Sequence, residues 1–512
     1  MDNRERSNLI EKIKTVILVV LFLVTILLLY FFWKDMSFGD VSLNDIISPR
    51  EEFVETIDVE DVIVPTHIDV CLDNGTYTKI EKKAASYWNE GENSMQSVFR
   101  MFVSSGDEFI EEITEKQYDE VMEYISAKAV FDYYLPFRDY CTLLGVSSPA
   151  GSEMIGIISE AGFSSGSYES MFIYDAEKDK YYRIVSDVSS EAFLNEVVAM
   201  SQEENTTYFP LESFVGENFK REILVPAYFE STLKDVTATP DFGEEISDGA
   251  NDVARSFFSG TFDFVRRIQE ENGRVIFIYG YGEKTLTIDI DGSVSYKADV
   301  EGTLKPGYFD ALKLALATIS QQGGFATADG SEFVPYILSS GILKSGNGYS
   351  FEFGALVNGE KSYYYSGCPL RIVVENGQVS RFERKFVTFG DGGTTDFPRE
   401  AHSAINVLAQ NYDYIYERIM EESIVDSELG GNGNVAGDFG KVRNEDDKFA
   451  YVASVINDIS YGYVYDEEEG LMRPCYVIST FGGALRTYFD LYTAEPLDDG
   501  ALGIVEEENG LG

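Results

Sequence analysis

Histidine and cysteine are scarce: the 512 residues hold two His and four Cys. That leaves little material for a zinc site or for His-based acid–base chemistry. Cys71, Cys141, Cys368 and Cys475 lie in four separate stretches, with no C-x-x-C among them. Small disulfide scaffolds are far denser, so free buried thiols are expected; if a bridge forms, Cys71–Cys141 is the most local pairing. Basic residues are also short. Forty Lys and Arg face 88 Asp and Glu, for a formal net charge of −48. Neutralising a phosphate backbone takes clustered Lys and Arg, so a chain this acidic argues strongly against a nucleic-acid binder. The plainest consequence of the acidity is solubility. No short-period repeat is present. Aromatics are abundant instead: 33 Tyr and 36 Phe argue for ordered, cored domains rather than disorder. At roughly 100–200 residues per domain, the length suggests about three.

One apolar run stands alone. Thr15–Trp33 (TVILVVLFLVTILLLYFFW) is 19 residues without a charge. At about 1.5 Å per residue it nearly matches the ~30 Å hydrocarbon core of a bilayer. Arg4, Arg6, Lys12 and Lys14 precede it and only Lys34 closely follows, which predicts a cytoplasmic N-terminus. Tyr30, Phe32 and Trp33 would sit at the outer interface. The run ends in YFFWKD, with no A-x-A-like cleavage site, so an uncleaved signal anchor is favoured over a signal peptide. It contains no Gly, which argues against a GxxxG dimer. Leu18, Phe22, Thr25 and Leu29 share one face of this helix and are the candidate stripe for contact with a partner helix. The competing reading is that they face lipid, since every face is apolar. The expected location is the cell membrane, single-pass, with the bulk of the chain extracellular.

Composition shifts divide the chain. Residues 1–14 form a cytoplasmic tail, 15–33 the anchor and 34–58 a polar linker. An N-terminal domain is expected over 59–235, a middle α+β domain over 250–389 and a C-terminal domain over 396–497. Residues 498–512 are an acidic tail. The boundary near 236–249 is polar, with Pro240, Asp241, Gly243, Asp248 and Gly249. A Gly-, Asn- and Asp-rich loop is expected over 426–440. Alternation predicts strands at 59–72, 130–137, 154–158, 168–174 and 181–185, then at 274–279, 285–289, 294–297, 348–353, 370–375 and 378–386. A last set is predicted at 461–466, 473–480 and 485–492. Helical spacing is read over 94–114, 116–125, 189–200, 255–269, 308–321, 399–411, 413–420 and 447–458. Glu375-Asn376-Gly377 is a strong hairpin signal. Helices mixed with strands in hairpins give an α+β fold of antiparallel sheets with packed helices, not a doubly wound parallel sheet.

Candidate chemistry is thin. Gly162-Phe163-Ser164-Ser165-Gly166 matches G-x-S-x-G, but a nucleophile elbow needs a strand before the serine and a helix after it. The residues that follow alternate like a strand. A base would have to be His402, because His67 lies upstream and the hydrolase order is Ser, acid, His. A Ser- and Gly-rich hairpin loop is the better reading. Gly280-Tyr281-Gly282 lacks the third glycine and the helix of a phosphate-binding loop. Asp289-Ile290-Asp291-Gly292 opens like a calcium loop but lacks its closing acidic ligand. Both read as hairpin turns. His67 is expected at a turn or edge, and His402 on a helix surface. Asn74-Gly75-Thr76 and Asn205-Thr206-Thr207 are glycosylation sequons on paper. No catalytic, cofactor or metal set survives.

The layout nevertheless resembles a known family. Ile13–Trp33, followed by a long outer part, is similar to the YycH/YycI proteins of Gram-positive bacteria. Ala129–Phe137 (AVFDYYLPF) resembles the aromatic strand of the N-terminal YycH domain. Phe258–Tyr296 and Gly307–Phe386 resemble the start and body of the middle domain. Tyr463–Tyr492 resembles the closing hairpin module of YycI and PepSY-like domains; Pro474 is in place, and Cys475-Tyr476 stands where Trp is usual. The stretch 426–440 and the tail from Asp498 depart from the pattern. The resemblance, closer to YycH than to YycI, implies a three-domain extracellular part without catalysis or cofactor. It also implies regulation of the WalK (YycG) sensor histidine kinase, which governs cell-wall metabolism, through the transmembrane helix and beside a YycI-like partner. Two other readings are a membrane-anchored serine hydrolase using Ser164 and an extracellular ligand-binding module on an inert anchor.

Overall fold

The computed structural model describes residues 57–497, apart from 73–74, 92–93, 105–108, 202–205, 217–222, 227–229, 241–245, 328–333, 366, 391–393, 429–444 and 481–484. The expected anchor, most of the linker, both sequons' asparagines, most of the 426–440 loop and the acidic tail lie outside the described residues. Among those described, no helix is long and apolar enough to cross a membrane.

The fold is α+β with two large sheets. The first has nine antiparallel strands, in the order Phe109–Ile113, Lys180–Val185, Ser170–Asp175, Glu160–Ser164, Ser126–Val130, His67–Cys71, Tyr77–Ile80, Tyr208–Pro210 and Leu224–Pro226. One face is apolar: Ile68, Val70, Ala127, Ala129, Ala161, Phe163 and Met171 are buried. Helices Ala84–Asn89, Met95–Phe102 and Phe137–Leu143 contribute to the same core through Trp88, Phe99 and Tyr140. Helix Glu115–Met122 lies on the opposite face, where Tyr118 packs on Phe172 and Tyr181. Its start is a full capping box: Thr114 Oγ1 accepts from Gln117 N–H, and the Gln117 side chain accepts from Thr114 N–H. Thr114→Ala is expected to lower stability by about 1 kcal/mol, read by urea unfolding.

The second sheet runs through the rest of the chain. Its first half is a meander of Arg266–Gln269, Val275–Tyr279, Lys284–Ile288 and Val294–Ala298, continued by Gln378–Arg384, Leu370–Glu375 and Gly348–Val357. Helix Tyr308–Gln321 lays Leu312, Leu316 and Ile319 on it. This helix ends where Gly324 N–H returns to Ile319 O, with Gly323 and Gly324 both at positive φ. Its Tyr308 also joins Tyr134, Tyr349 and Phe351, so the first sheet's core and the middle layer form one apolar cluster.

The sheet then changes layer. The short hairpin at Asn358-Gly359, both at positive φ, turns the chain into Glu360–Tyr364. That strand pairs parallel with Ile456–Asp466 at Ser362↔Tyr463. Leu471–Thr480, Leu485–Asp490, Val236–Pro240 and Val387–Phe389 complete this end. Helices Ala404–Glu428 and Glu445–Val455 cover it, and their second core takes in Ile223, Val225, Leu233 and Val236.

Several local expectations are corrected. Val59–Val62 is a helical turn capped by Asp58, not strand. The helical spacing of 94–114 holds only for Met95–Phe102, because Phe109–Ile113 is an edge strand beside Lys180–Val185. Strand Ser126–Val130 stops where 130–137 was expected to begin, and Pro136 caps a helix that starts at Phe137. Residues 154–158 hold the end of the 3₁₀ turn Ser152–Met154 and one isolated bridge at Ile157; the strand is Glu160–Ser164. Helix Ile246–Phe258 starts before the 255–269 expectation, which ends instead in the exposed strand Arg266–Gln269. The polar stretch from Val236 contains a paired strand.

Candidate functional site

The four residues of the expected helix stripe, Leu18, Phe22, Thr25 and Leu29, lie outside the described residues. Among the motifs that are described, none assembles chemistry. Ser164 is fully buried at the end of a strand, and another strand, Ser170–Asp175, follows it. Its hydroxyl donates to Val121 O at 2.5 Å and accepts from Gly166 N–H at 3.1 Å. Both partners are backbone, and no helix follows to form an elbow. His402 sits just before helix Ala404–Glu428, with its N–H on Leu491 O in the second sheet's end layer. It is not on the helix surface. His67 opens an interior strand rather than an edge, and is buried.

Gly280-Tyr281-Gly282 is a hairpin tip with both glycines at positive φ. Asp289 is committed to Arg274 at 2.6 Å, and Asp291 to Lys385 at 3.0 Å. All four cysteines are free thiols, and Cys368 is only half-buried. Burial pushes the Cys141 thiol up to about 12, so it is no nucleophile at neutral pH. Among the described residues no cluster of His, Cys, Asp and Glu could hold a metal ion.

The structure's concentrated electrostatics lie elsewhere, on the polar face of the first sheet where the second sheet's end layer meets it. Period-2 alternation sends Ile68 and Val70 into the core and His67 and Asp69 to the other face. Register then places Lys79 and Lys128 on either side of Asp69. Lys79 Nζ lies 3.3 Å from Glu81 and 3.1 Å from Asp458, which belongs to strand Ile456–Asp466. Burial alone would raise the Asp458 carboxyl, but Lys79, His67 and Lys361 outweigh it and hold it at about 2. Burial likewise opposes the charge on Lys79, yet Asp458, Glu81 and Asp69 hold its ammonium well above the usual range.

A second pair crosses the same junction. Lys82 Nζ reaches Glu360 at 2.6 Å, just past the Asn358-Gly359 tip. Here burial wins. Glu360 is 4 % exposed, and its carboxyl is pushed up to about 7, with Lys82 only partly offsetting the desolvation. The neighbouring Lys361 has its ammonium pushed down by burial and stands 5.9 Å over the Tyr336 ring. The seam thus ties residues from Lys79–Lys82 to Glu360–Lys361 and Asp458. Sequence reading found none of these pairs, because a carboxylate in so acidic a chain carries no signal by itself.

The architecture matches a solved structure. Crystalline YycH from Bacillus subtilis superposes with a TM-score of 0.52 at 12 % sequence identity, over 87 % of this chain and 98 % of that one. The fold is YycH-like. It keeps that likeness at an identity too low for side-chain roles to be carried across. An uncharacterized protein from Eubacterium rectale aligns over 53 % of this chain at 16 % identity, with a TM-score of 0.31. The C-terminal domain of Bacillus megaterium YpeB aligns over 49 % at 12 % identity, with a TM-score of 0.25. No protein-family model matches the chain, and no curated protein does.

Proposed function

We propose that this chain is a non-enzymatic, single-pass membrane protein that regulates a cell-wall-sensing histidine kinase of the WalK (YycG) type, beside a YycI-like partner. One observation carries the reading: a YycH-like fold matches 98 % of the crystallised YycH chain, on a chain that also bears the apolar run Thr15–Trp33. The committed side chains of Ser164, Asp289 and Asp291 agree with a role other than catalysis. In this reading Thr15–Trp33 packs on helices of the kinase, and the outer part biases its position. A bistable element is moved only by contacts that differ between its two states. The seam at Lys79, Glu360 and Asp458 is where the N-terminal part would pass such a bias to the C-terminal part.

The test is the double change Leu18→Ala with Phe22→Ala. Co-isolation of the kinase with the variant is expected to fall, while the amount of variant in the membrane stays the same. An undiminished complex would remove the stripe.

A further inference from the structure

Single exposed apolar side chains are ordinary on a protein surface. Three of them share one end of the second sheet's first half. Register brings the start of Arg266–Gln269, the turn between Tyr279 and Lys284, the end of Val294–Ala298, the Asn376-Gly377 turn and the start of Gly348–Val357 to that end. Tyr281 is fully exposed there, Phe264 is 77 % exposed and Leu304 64 %. Local contacts join the three into one rim. Phe264 leads into Arg266, which pairs with Ile278 just before the Tyr281 turn. Asp299 N–H donates to Glu283 O at 2.8 Å, and Leu304 lies so close to Gly377 that a Cβ there would stand 2.8 Å from it.

Charge sets this end apart as well. The chain holds 40 Lys and Arg against 88 Asp and Glu, yet residues 263–267, 280–284, 297–310, 342–348 and 375–378, which build this end, hold six of each. A base follows each exposed apolar residue within three positions: Arg266, Lys284 and Lys305. Among the described residues none of these three is in an ion pair. At the opposite end the bases are committed, Arg274 to Asp289 and Lys385 to Asp291. An apolar or aromatic tip with a long base beside it suits a membrane interface, where the tip sits among the headgroups and the base reaches a phosphate. A protein partner needs one contiguous packed surface, which three separate turns do not offer; a fluid surface requires no such fit.

The route of the chain brings a bilayer to this end. The described part starts at Ile57, and Val59–Val62 packs on helix Tyr308–Gln321. Tyr133 Oη donates to Val64 O at 2.9 Å, and the adjoining Tyr134 packs on Tyr308, four residues after Leu304. Residues 34–56 therefore tether the run Thr15–Trp33 to this end of the sheet, with a reach of about 75 Å at full extension. Asp58, Glu60 and Asp61 stand at the entry, and the whole chain is acidic, so the surface that fits is zwitterionic rather than anionic.

We propose that this end docks on the outer headgroup layer of the bilayer, with Phe264, Tyr281 and Leu304 in the interface and Arg266, Lys284 and Lys305 on lipid phosphates. The proposal rests on the anchor reading of Thr15–Trp33 and not on the kinase.

The full chain is reconstituted in phosphatidylcholine vesicles whose acyl chains carry bromine near the headgroup, and tryptophan emission is followed. The natural chain has two tryptophans: Trp88 is fully buried, and Trp33 ends the apolar run, so quenching of Trp33 reads the anchor. Tyr281→Trp and Leu304→Trp each place a reporter on the rim, and Ile290→Trp places one on an exposed turn at the opposite end. The emission added by either rim reporter is expected to fall by about half or more, while that added by Ile290→Trp stays unchanged. Unquenched rim reporters beside a quenched Trp33 would overturn the docking and leave the anchor standing. Unquenched rim reporters with an unquenched Trp33 would overturn both. Equal quenching in Ile290→Trp would overturn the proposal too, since neither end would be preferred. A photoreactive group at position 281 that captures a protein and no lipid would overturn it in favour of a protein on the rim.

Discussion

Lys79→Met is expected to destabilise the folded protein by about 2–4 kcal/mol, somewhat under the 3–5 typical of breaking a fully buried pair. The Lys79 side chain is only 3 % exposed and holds two carboxylates, Glu81 and Asp458. Methionine keeps its length but takes from Glu81 and Asp458 the cation they pair with at 3.3 and 3.1 Å. The figure is discounted because about a quarter of the Asp458 side chain (26 %) reaches solvent. Asp458→Asn is expected to cost less, since Lys79 keeps Glu81 at 3.3 Å. Urea unfolding of both variants checks this order. Equal losses would assign the whole effect to the Lys79–Asp458 pair, and no loss in Lys79→Met would mean that the seam does not hold the layers together.

The second large effect is a pH dependence from Glu360. Its folded carboxyl is held at about 7 against an ordinary 4.5, with burial as the leading cause. Between those two values the folded state binds the proton and the unfolded state does not. The stabilisation is therefore complete below about 4.5 and is lost as pH rises through about 7, a change of roughly 3 kcal/mol if Glu360 acts alone. Asp458 works in the opposite sense and in another window. Its depressed carboxyl stabilises above about 4, and that contribution is lost as pH falls toward 2. Stability should accordingly decline between about pH 5 and pH 8, and Glu360→Gln should flatten that decline. Thermal unfolding across the range decides it; a slope unchanged in Glu360→Gln would assign the effect to other groups.

Much of the fold was legible because it rests on local period. Tyr308–Gln321 repeats its apolar residues at helical spacing over nearly four turns, and its bounds match the structure. Leu370–Glu375 and the Asn376-Gly377 turn were equally plain, because a two-residue turn with φ of 52° and 75° selects Asn-Gly. The failures have one cause. Val130–Phe137 is rich in aromatics and reads as strand, but its side chains fill the core from a loop and a helix start. Glu360–Tyr364 is short, and its pairing with Ile456–Asp466 comes from far along the chain. The seam was invisible for the same reason: Lys79 and Asp458 are 379 residues apart. The family resemblance gave the architecture, because order and pattern survive at 12 % identity; side-chain constellations do not.

The central claim is that the run Thr15–Trp33 is the working surface of a kinase regulator. The most direct measurement isolates partners from native membranes with the natural chain, and again with residues 15–33 replaced by an unrelated transmembrane helix. The account predicts that the kinase accompanies the natural chain and is absent with the replacement, at equal membrane levels of the two. A kinase recovered with neither would contradict the regulator reading, and one recovered equally with both would place the contact in the outer layers instead.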